Sequence, residues 1–310
     1  MLHHQHHKLT AQDGHVVHVQ TWQPDGDPAC VIQVLHGLGE YGDRYARFAA
    51  AASDRGFAVC VHDHRGHGGH GEEPGHFALR NGWQKANSDI EAVNGFVREQ
   101  FPATPIVLLG HSMGSFFAQA FAMHYGPRLS ALILSASTWS SKISLGAALA
   151  LARIESWRLG PFGRSALLNA LGFGRFNQSF SPARTEMDWL SRDDAEVDKY
   201  VADPLCGGPY SCALWRDLLT GLLYISSDHA LMRISSELPI LISGGELDPV
   251  GGDKGMSRLA LHYAQTAHKR IKVKIYPGGR HEMLNETNRD EVTADWLDWI
   301  ESTRRSWRSD

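Results

Sequence analysis

The sequence predicts an α/β fold in which helices cover both faces of a mostly parallel sheet. Short runs rich in Val, Ile and Leu alternate with helix-length segments along most of the 310 residues. Several of these runs are apolar throughout, which is typical of parallel strands buried on both faces. The alternation stops between residues 138 and 236 and then resumes. A single sheet interrupted by an insertion therefore explains the pattern better than the two domains that chain length alone suggests.

The strands and helices follow in order along the chain. Segment 16–22 alternates in polarity and follows Asp13-Gly14, a pair typical of hairpin turns, so two antiparallel strands are expected to open the fold. Further strands are predicted at residues 29–35, 57–62, 105–110, 131–135, 239–243 and 271–276. Helices are predicted at residues 44–55, 83–100, 114–125, 253–267 and 290–302. The last helix places four apolar side chains on one face: Val292, Trp296, Trp299 and Ile300.

The insertion is expected to be a helical cap. Residues 1–137 and 237–310 would form the core, and residues 138–236 would form the cap, since that stretch has helical and irregular segments but no convincing strand. Within the cap, segment 145–157 should turn four apolar side chains towards one side: Leu145, Leu149, Ile154 and Trp157. Two interpretations of this helix are open, because its apolar face could pack on the core or could line an acyl pocket and touch a membrane or micelle.

Composition and charge exclude several classes of protein. Apolar residues make up 43% of the chain and charged residues 21%, which excludes a disordered chain. The net charge of −4 provides no field to hold a nucleic acid, and four cysteines are too few for a disulfide framework. The first residues have no apolar leader, and the longest apolar stretch is far shorter than the roughly 20 residues that span a bilayer. A cytoplasmic location is therefore expected.

The eighteen histidines include two groups that invite a metal hypothesis. The first group lies at the N-terminus with tag-like spacing, and a solvated polar terminus is expected there: His3, His4, His6 and His7. The second has four histidines within segment 62–70. Zinc ligands can be histidines, but this segment is a glycine-rich loop rather than one helix face, so no metal site is expected.

The strongest functional motif is Gly110-His111-Ser112-Met113-Gly114. It has the pattern G-x-S-x-G between a predicted strand and a predicted helix, which is the context of a nucleophilic serine on a sharp turn. Glycines at both ends let neighbouring backbone approach, and the following helix directs the positive end of its dipole at the site. Ser112 is therefore predicted to be a nucleophile.

A carboxylate and a histidine follow later in the chain, each just after a predicted strand. Asp248 follows segment 239–243, and His281 follows segment 271–276. The order Ser, Asp, His is the one that this turn motif requires. His281 would take and return the Ser112 proton, and Asp248 would fix the imidazole tautomer. Glu246 is the competing carboxylate, and Asp248 is preferred because a shorter side chain followed by proline suits a rigid loop.

The chemistry of acyl transfer also needs backbone N–H donors for a developing oxyanion. One candidate is the amide of Met113, directly after the predicted nucleophile. The other is the amide of Leu38 in the loop His36-Gly37-Leu38-Gly39, where glycines allow close approach to the substrate.

Several motifs together resemble the monoacylglycerol lipase and lysophospholipase branch of the α/β-hydrolases. They are HGLGEY at 36–41, DHRGHG at 63–68, GHSMG at 110–114 and YPGGRHEMLNE at 276–286. The match runs from about residue 14 to residue 300 and is weakest at 139–194. The chain departs from the pattern at Ser115, where many members have a second glycine, and a small residue there should still permit the turn.

The resemblance implies an α/β-hydrolase fold, a triad of Ser112, Asp248 and His281, a helical cap and no cofactor. The leading hypothesis is therefore a serine hydrolase that cleaves lipid-like carboxylic esters, such as monoacylglycerols or lysophospholipids, through an acyl-enzyme. The alternative is a serine peptidase of the proline-iminopeptidase kind, with acidic groups for a substrate amino terminus supplied by Glu186, Asp188, Asp193 and Asp194. A non-catalytic binding module would need a degraded triad, and none of the three positions is degraded.

Overall fold

The computed structural model describes residues 3–70, 73–305 and 307. Its strands are β1 His3–Thr10, β2 Val16–Gln23, β3 Val31–Leu35, β4 Ala58–His62, β5 Ile106–His111, β6 Ala131–Ser135, β7 Ile240–Gly245 and β8 Ile271–Tyr276. They form a single sheet in the order β1-β2-β4-β3-β5-β6-β7-β8. The β1–β2 and β2–β4 pairs are antiparallel, and all pairs from β4 to β8 are parallel. The predicted strands are therefore confirmed to within two residues at each end.

Helices cover both faces of this sheet, which confirms the predicted α/β class. The helices of the described chain are α1 Ala46–Asp54, α2 Gly82–Gln100, α3 Met113–Tyr125, α4 Lys142–Leu159, α5 Ala166–Phe173, α6 Asp194–Ala202, α7 Cys212–Ile225, α8 Asp228–Leu231, α9 Gly252–Gln265 and α10 Arg289–Arg304. Helices α1 and α10 pack on one face, and α2, α3 and α9 pack on the other. The predicted apolar face of α10 is buried, and the Trp296 indole also donates to the Ser243 hydroxyl at 3.0 Å.

The N-terminal histidines are polar and mostly exposed, as expected, and they lie in the edge strand β1 of the sheet. Strand β1 pairs with β2 along its whole length. The His4 ring stacks on Trp22 at 4.4 Å, and His7 Nε2 is 3.0 Å from the Thr21 hydroxyl. Backbone pairing in a sheet does not depend on side-chain polarity, which is why a histidine-rich segment can form a strand here.

Five helices, α4 to α8, lie between β6 and β7. Residues 138–236 are all described, and their one β-type pairing is an isolated bridge between Arg164 and Ser211. The division of the chain into core and cap stays a prediction. Among the described residues, no helix is long and apolar enough to cross a membrane.

The expected orientation of α4 is wrong for two of its four apolar residues. Leu145 and Leu149 are buried, as is Ala152 on the same side, but Ile154 is 57% exposed and Trp157 is 86% exposed. An α-helix has 3.6 residues per turn, so Ile154 stands about two and a half turns from Leu145 and points to the opposite side. The helix is therefore apolar on both its inner and its outer face.

The parallel strands bring four functional loops to one edge of the sheet. Leu38 follows β3, Ser112 follows β5, Asp248 follows β7 and His281 follows β8. The carboxyl ends of parallel strands lie at the same edge, and in open α/β sheets that edge is where ligands bind.

Candidate active site

Ser112 stands on a strained turn between β5 and α3. Its backbone has φ 50° and ψ −118°, a conformation that is uncommon for residues other than glycine and costs of the order of 1–3 kcal/mol. A Cβ at Gly110 would overlap the Gly114 carbonyl oxygen, and a Cβ at Gly114 would overlap the Leu35 carbonyl oxygen. The Ser112 N–H donates to the Ser135 carbonyl at 2.9 Å. The fixed glycines of the motif are thus required by close backbone contact, and they hold the serine in place.

Asp248 and His281 form a buried hydrogen-bonded pair. His281 Nδ1 lies 2.8 Å from Asp248 Oδ1, and both side chains are almost fully buried. The competing carboxylate, Glu246, is exposed and accepts a hydrogen bond from the Gly278 N–H at 2.9 Å instead. The imidazole therefore presents Nδ1 to Asp248 and leaves Nε2 for another partner.

The charges around His281 favour its protonated form. Burial alone would lower the pKa of His281, but the charge and hydrogen bond of Asp248, with further contributions from Glu282 and Glu40, raise it above 6.5. The neighbouring His111 ring has its centroid 4.9 Å away. Burial lowers the pKa of His111 to about 4, so this ring is neutral near pH 7 and adds no competing charge.

Ser112 and His281 line one apolar cavity of about 290 Å³, here named the Ser112 cavity. Aromatic and aliphatic side chains from α3 and from the 138–236 segment, which includes α7, form most of its wall: Phe116, Phe173, Phe176, Trp189, Trp215, Leu218 and Leu222. A second cavity of about 680 Å³ adjoins it and shares several lining residues, among them Leu38 and Tyr200. The cavity beside Ser112 is therefore mainly apolar and continues into a second one.

The two residues whose amides are predicted to bind an oxyanion also line the Ser112 cavity. These residues are Leu38, in the loop after β3, and Met113, the first residue of α3 and the residue after Ser112. Within the described part of the chain, neither backbone N–H donates to another protein group. Both N–H groups are thus free for a ligand, and that of Met113 lies at the N-terminus of α3, where the helix dipole favours negative charge.

A buried ion network next to the site was missed in the sequence. The Arg44 guanidinium donates to both carboxylate oxygens of Glu282 at 2.6 Å each and to Glu40 at 3.1 Å. Burial opposes ionisation of Glu282, but Arg44 outweighs it and holds the pKa of that carboxyl below its usual range. Glu40 and Glu282 belong to motifs quoted above, and the position of Glu282 directly after His281 was the signal that could have identified it.

Trp189, which lines the same cavity, was also missed in the sequence. Its ring centroid lies 4.9 Å from that of His281, and its carbonyl accepts a hydrogen bond from the His281 N–H at 3.3 Å. The next carbonyl, of Leu190, accepts from the Glu282 N–H at 2.8 Å. The segment that contains Trp189 is the weakest part of the family resemblance, so no sequence motif pointed to it.

The histidines of segment 62–70 are dispersed among several local contacts. His62 and His64 are buried, the His67 ring is 3.0 Å from the Arg65 carbonyl oxygen, and His70 Nε2 is 2.6 Å from Asp63 Oδ2. In residues 3–70, 73–305 and 307, no three His, Cys, Asp or Glu side chains are grouped in a way that could hold a metal ion.

The sheet order, the serine turn and the Asp–His pair after β7 and β8 define an α/β-hydrolase. Comparison with known families agrees, because the Hydrolase_4 model, described as serine aminopeptidase, S33, matches residues 26–288. The chain belongs to this family.

Similar proteins place it among the carboxylic ester hydrolases of that family. It is 27% identical to a monoacylglycerol lipase of Mycolicibacterium smegmatis, over 96% of both chains. It is 31% identical to the phospholipase YtpA of Bacillus subtilis, over 88% of this chain and 95% of that one. Among solved structures, a thermostable carboxyl esterase from Bacillus coagulans in complex with glycerol superposes with a TM-score of 0.88 at 25% identity, covering 98% of this chain and all of the other.

Proposed function

We propose that this protein is a serine hydrolase of lipid-like carboxylic esters, with monoacylglycerols or lysophospholipids as its substrate class. The observation that carries the proposal is that Ser112 and His281 both line one apolar cavity, while His281 is bonded on its other side to the buried Asp248. The names of the similar proteins, which include monoacylglycerol lipase and phospholipase, support an acyl ester as the substrate.

Each group has a defined part in the proposed reaction. Ser112 Oγ attacks the ester carbonyl carbon while His281 Nε2 takes its proton, and the Leu38 and Met113 amides donate to the resulting oxyanion. The intermediate collapses, the alcohol leaves with the proton from His281, and the acyl group remains on Ser112. Water then attacks the acyl-enzyme in the same manner, and its proton returns through His281 to Ser112. Asp248 keeps Nδ1 protonated and stabilises the imidazolium throughout.

In this proposal, residues 138–236 form the cap that closes the Ser112 cavity over the acyl chain. Trp189 covers His281 from this segment, and Trp215 and Leu218 of α7 add apolar wall. A largely apolar wall with few polar groups suits an acyl chain, since most of the affinity then comes from burial of apolar surface.

The alternative, a serine aminopeptidase, is less well supported by the charges of the site. Such an enzyme needs a free carboxylate near the serine to bind a substrate ammonium, yet the two carboxylates that line the Ser112 cavity, Glu40 and Glu282, are both bound by Arg44. Four acidic residues were suggested for that purpose. The Asp188 carboxylate accepts hydrogen bonds from the backbone N–H groups of residues 184 and 185, and Asp193 is paired with Arg289. Asp194 is near Arg184, and Glu186 is exposed at the adjoining cavity.

A two-substrate assay separates these functions. Purified protein is expected to hydrolyse monoacylglycerols and lysophospholipids and to leave aminoacyl p-nitroanilides uncleaved. A panel of acyl chain lengths with each head group would then identify the preferred ester. Cleavage of the anilides at a rate comparable to that of the esters would contradict the proposal.

The pH dependence of kcat/KM should report His281. The imidazole must be neutral to accept the Ser112 proton, and its pKa is raised, so activity should be lost as the pH falls through a value above 6.5. Below that value we expect about a tenfold loss per pH unit for a single essential base. Measurement of kcat/KM from pH 5 to 9 checks this, and a profile flat down to pH 5.5 would exclude His281 as the base.

We further propose that the outer face of α4 contacts the lipid aggregate that supplies the substrate. Ile143 and Trp157 are each 86% exposed, and 14 residues, or nearly four turns, separate them, so they share one face with Ile154. Arg153 and Arg158 flank this face. An exposed apolar face bordered by basic residues is typical of helices that lie in a membrane interface.

The double variant Ile143→Ser/Trp157→Ser tests this contact. Burial of each side chain contributes about 1.5 kcal/mol or more, so we expect at least a tenfold weaker association with phosphatidylcholine vesicles. Turnover of a monomeric water-soluble ester should stay within twofold. The matched control is Leu261→Ser, an exposed apolar residue of α9 outside the insertion. Equal vesicle binding by the double variant and this control would reject the contact.

A further inference from the structure

The peptide groups of the loop after β3 are held by two buried side chains. The Gly37 N–H donates to Glu40 Oε1 at 2.6 Å, and the Gly37 carbonyl oxygen lies 2.7 Å from His36 Nδ1. His36 is fully buried, and Glu40 is almost so. The same loop carries Leu38, which lines the Ser112 cavity and whose amide is the candidate oxyanion donor.

The His36 contact determines where the Leu38 N–H points. The Gly37 carbonyl and the Leu38 N–H belong to one planar trans peptide group, in which the C=O and N–H bonds point in opposite directions. A hydrogen bond that fixes the carbonyl therefore also fixes the N–H. Gly37 itself has little space to move, because a Cβ there would lie 3.4 Å from Ser112 Cβ and 2.9 Å from Glu40 Oε1.

The hydrogen bonds of His36 select one tautomer of its ring. The His64 N–H donates to Nε2 at 2.9 Å, so Nε2 carries no proton. In the neutral ring the proton is then on Nδ1, which donates to the Gly37 carbonyl. Burial keeps the ring neutral, because it lowers the pKa of His36 despite the opposing charge of Asp63.

Glu40 is fixed in turn by groups that reach the other side of the site. It accepts hydrogen bonds from the Tyr45 hydroxyl at 2.9 Å and from Arg44 at 3.1 Å. Arg44 also binds Glu282, the residue after His281. The loop that carries the Leu38 amide and the loop that carries His281 are thus tied to one guanidinium.

We propose that His36 is a positioning residue, which aims the Leu38 N–H at the substrate oxygen through the Gly37 peptide group, and that Glu40 assists it from the opposite side. The inference rests on the proposed function, since it assigns a cause to the geometry of one oxyanion donor. A misaligned donor stabilises the transition state less, whereas binding of the ground-state ester depends little on it. We therefore expect misalignment to lower kcat and to leave KM nearly unchanged.

Three variants of His36 test the proposal. Asn places its amide N–H near the position of Nδ1 and keeps the donor to Gly37, whereas Gln places its amide near Nε2 and Phe provides no polar atom. Loss of an entire oxyanion donor costs about 100- to 1,000-fold in kcat, and a misaligned donor should cost about 10- to 100-fold. We expect that loss in His36→Phe and His36→Gln, with KM within twofold, and recovery of at least fivefold in His36→Asn.

Binding of a trifluoromethyl ketone transition-state analogue supplies a second measurement. Its affinity should fall in the same order as kcat/KM, since its adduct carries the oxyanion. Thermal unfolding midpoints show which variants are folded. If His36→Phe is not folded, the comparison of kcat between His36→Asn and His36→Gln tests the inference. Equal kcat in Asn and Gln, or unchanged kcat in Phe, would overturn the inference. Ser112→Ala in the same assay tests the proposed function separately. If this variant remained active, the proposed function would be wrong, whatever the result for the His36 variants.

Discussion

Ser112→Ala is expected to lower kcat for ester hydrolysis by about a million-fold, the scale seen when a serine hydrolase loses its nucleophile. The reason is that no other hydroxyl can form the acyl-enzyme at the position that the strained turn between β5 and α3 creates. The same substitution should abolish covalent labelling by a fluorophosphonate probe. Both measurements address the nucleophile directly, by turnover and by bond formation.

The control for this variant is Ser302→Ala, at an exposed serine near the end of α10. The fluorophosphonate probe should label this variant, and the variant should hydrolyse the ester, to the same extent as the unmodified protein. Thermal unfolding of Ser112→Ala should show a folded protein, and relief of the strained backbone is not expected because alanine also has a Cβ. Persistent labelling of folded Ser112→Ala would mean that the nucleophile is another residue.

Asp248→Asn is expected to lower kcat by about 10⁴-fold, while KM changes little. The asparagine amide can donate to His281 Nδ1, which favours the tautomer with the proton on Nε2 and removes the base that Ser112 needs. The negative charge that raises the pKa of His281 is lost as well. The acid limb of any residual activity should therefore move to lower pH.

Glu246→Gln is the matched control, because Glu246 stands two residues earlier in the same loop. Its carboxylate accepts from the Gly278 N–H, and the glutamine carbonyl can accept that bond too. We expect activity within twofold of the unmodified protein and an unchanged pH profile. Comparable losses in both variants would assign the effect to the loop rather than to the Asp248–His281 contact.

Much of the fold follows from local sequence patterns. Buried parallel strands such as β5 and β6 are continuous apolar runs, and the face of α10 repeats with the helical period, so their positions were predictable. The candidate site residues could be named for a similar reason. Each stands directly after a strand, and the parallel sheet brings those strand ends to one edge. These patterns need no knowledge of distant contacts.

Other features depend on contacts between segments far apart in the sequence, which local patterns do not specify. The Arg44–Glu282 pair joins residues 238 positions apart, and Trp189 reaches His281 from a segment with no recognisable motif. The turn at Asp13-Gly14 predicted an opening strand pair, but the histidine-rich residues of β1 show no apolar pattern, and its pairing with β2 stabilises it. On α4, an apolar outer face was mistaken for part of the inner one, since composition alone does not say which side of a doubly apolar helix is covered.

The position of the site at the ends of β5, β7 and β8 has a consequence for how activity arises during folding. In the sheet β6 separates β5 from β7, and each parallel pair from β5 to β8 requires a crossover connection before it can form. Contacts between residues so far apart in sequence form late and slowly. Recovery of ester hydrolysis after denaturation should therefore lag behind recovery of helical circular dichroism. The rate of ester hydrolysis then measures the fraction of molecules that have reached the native state.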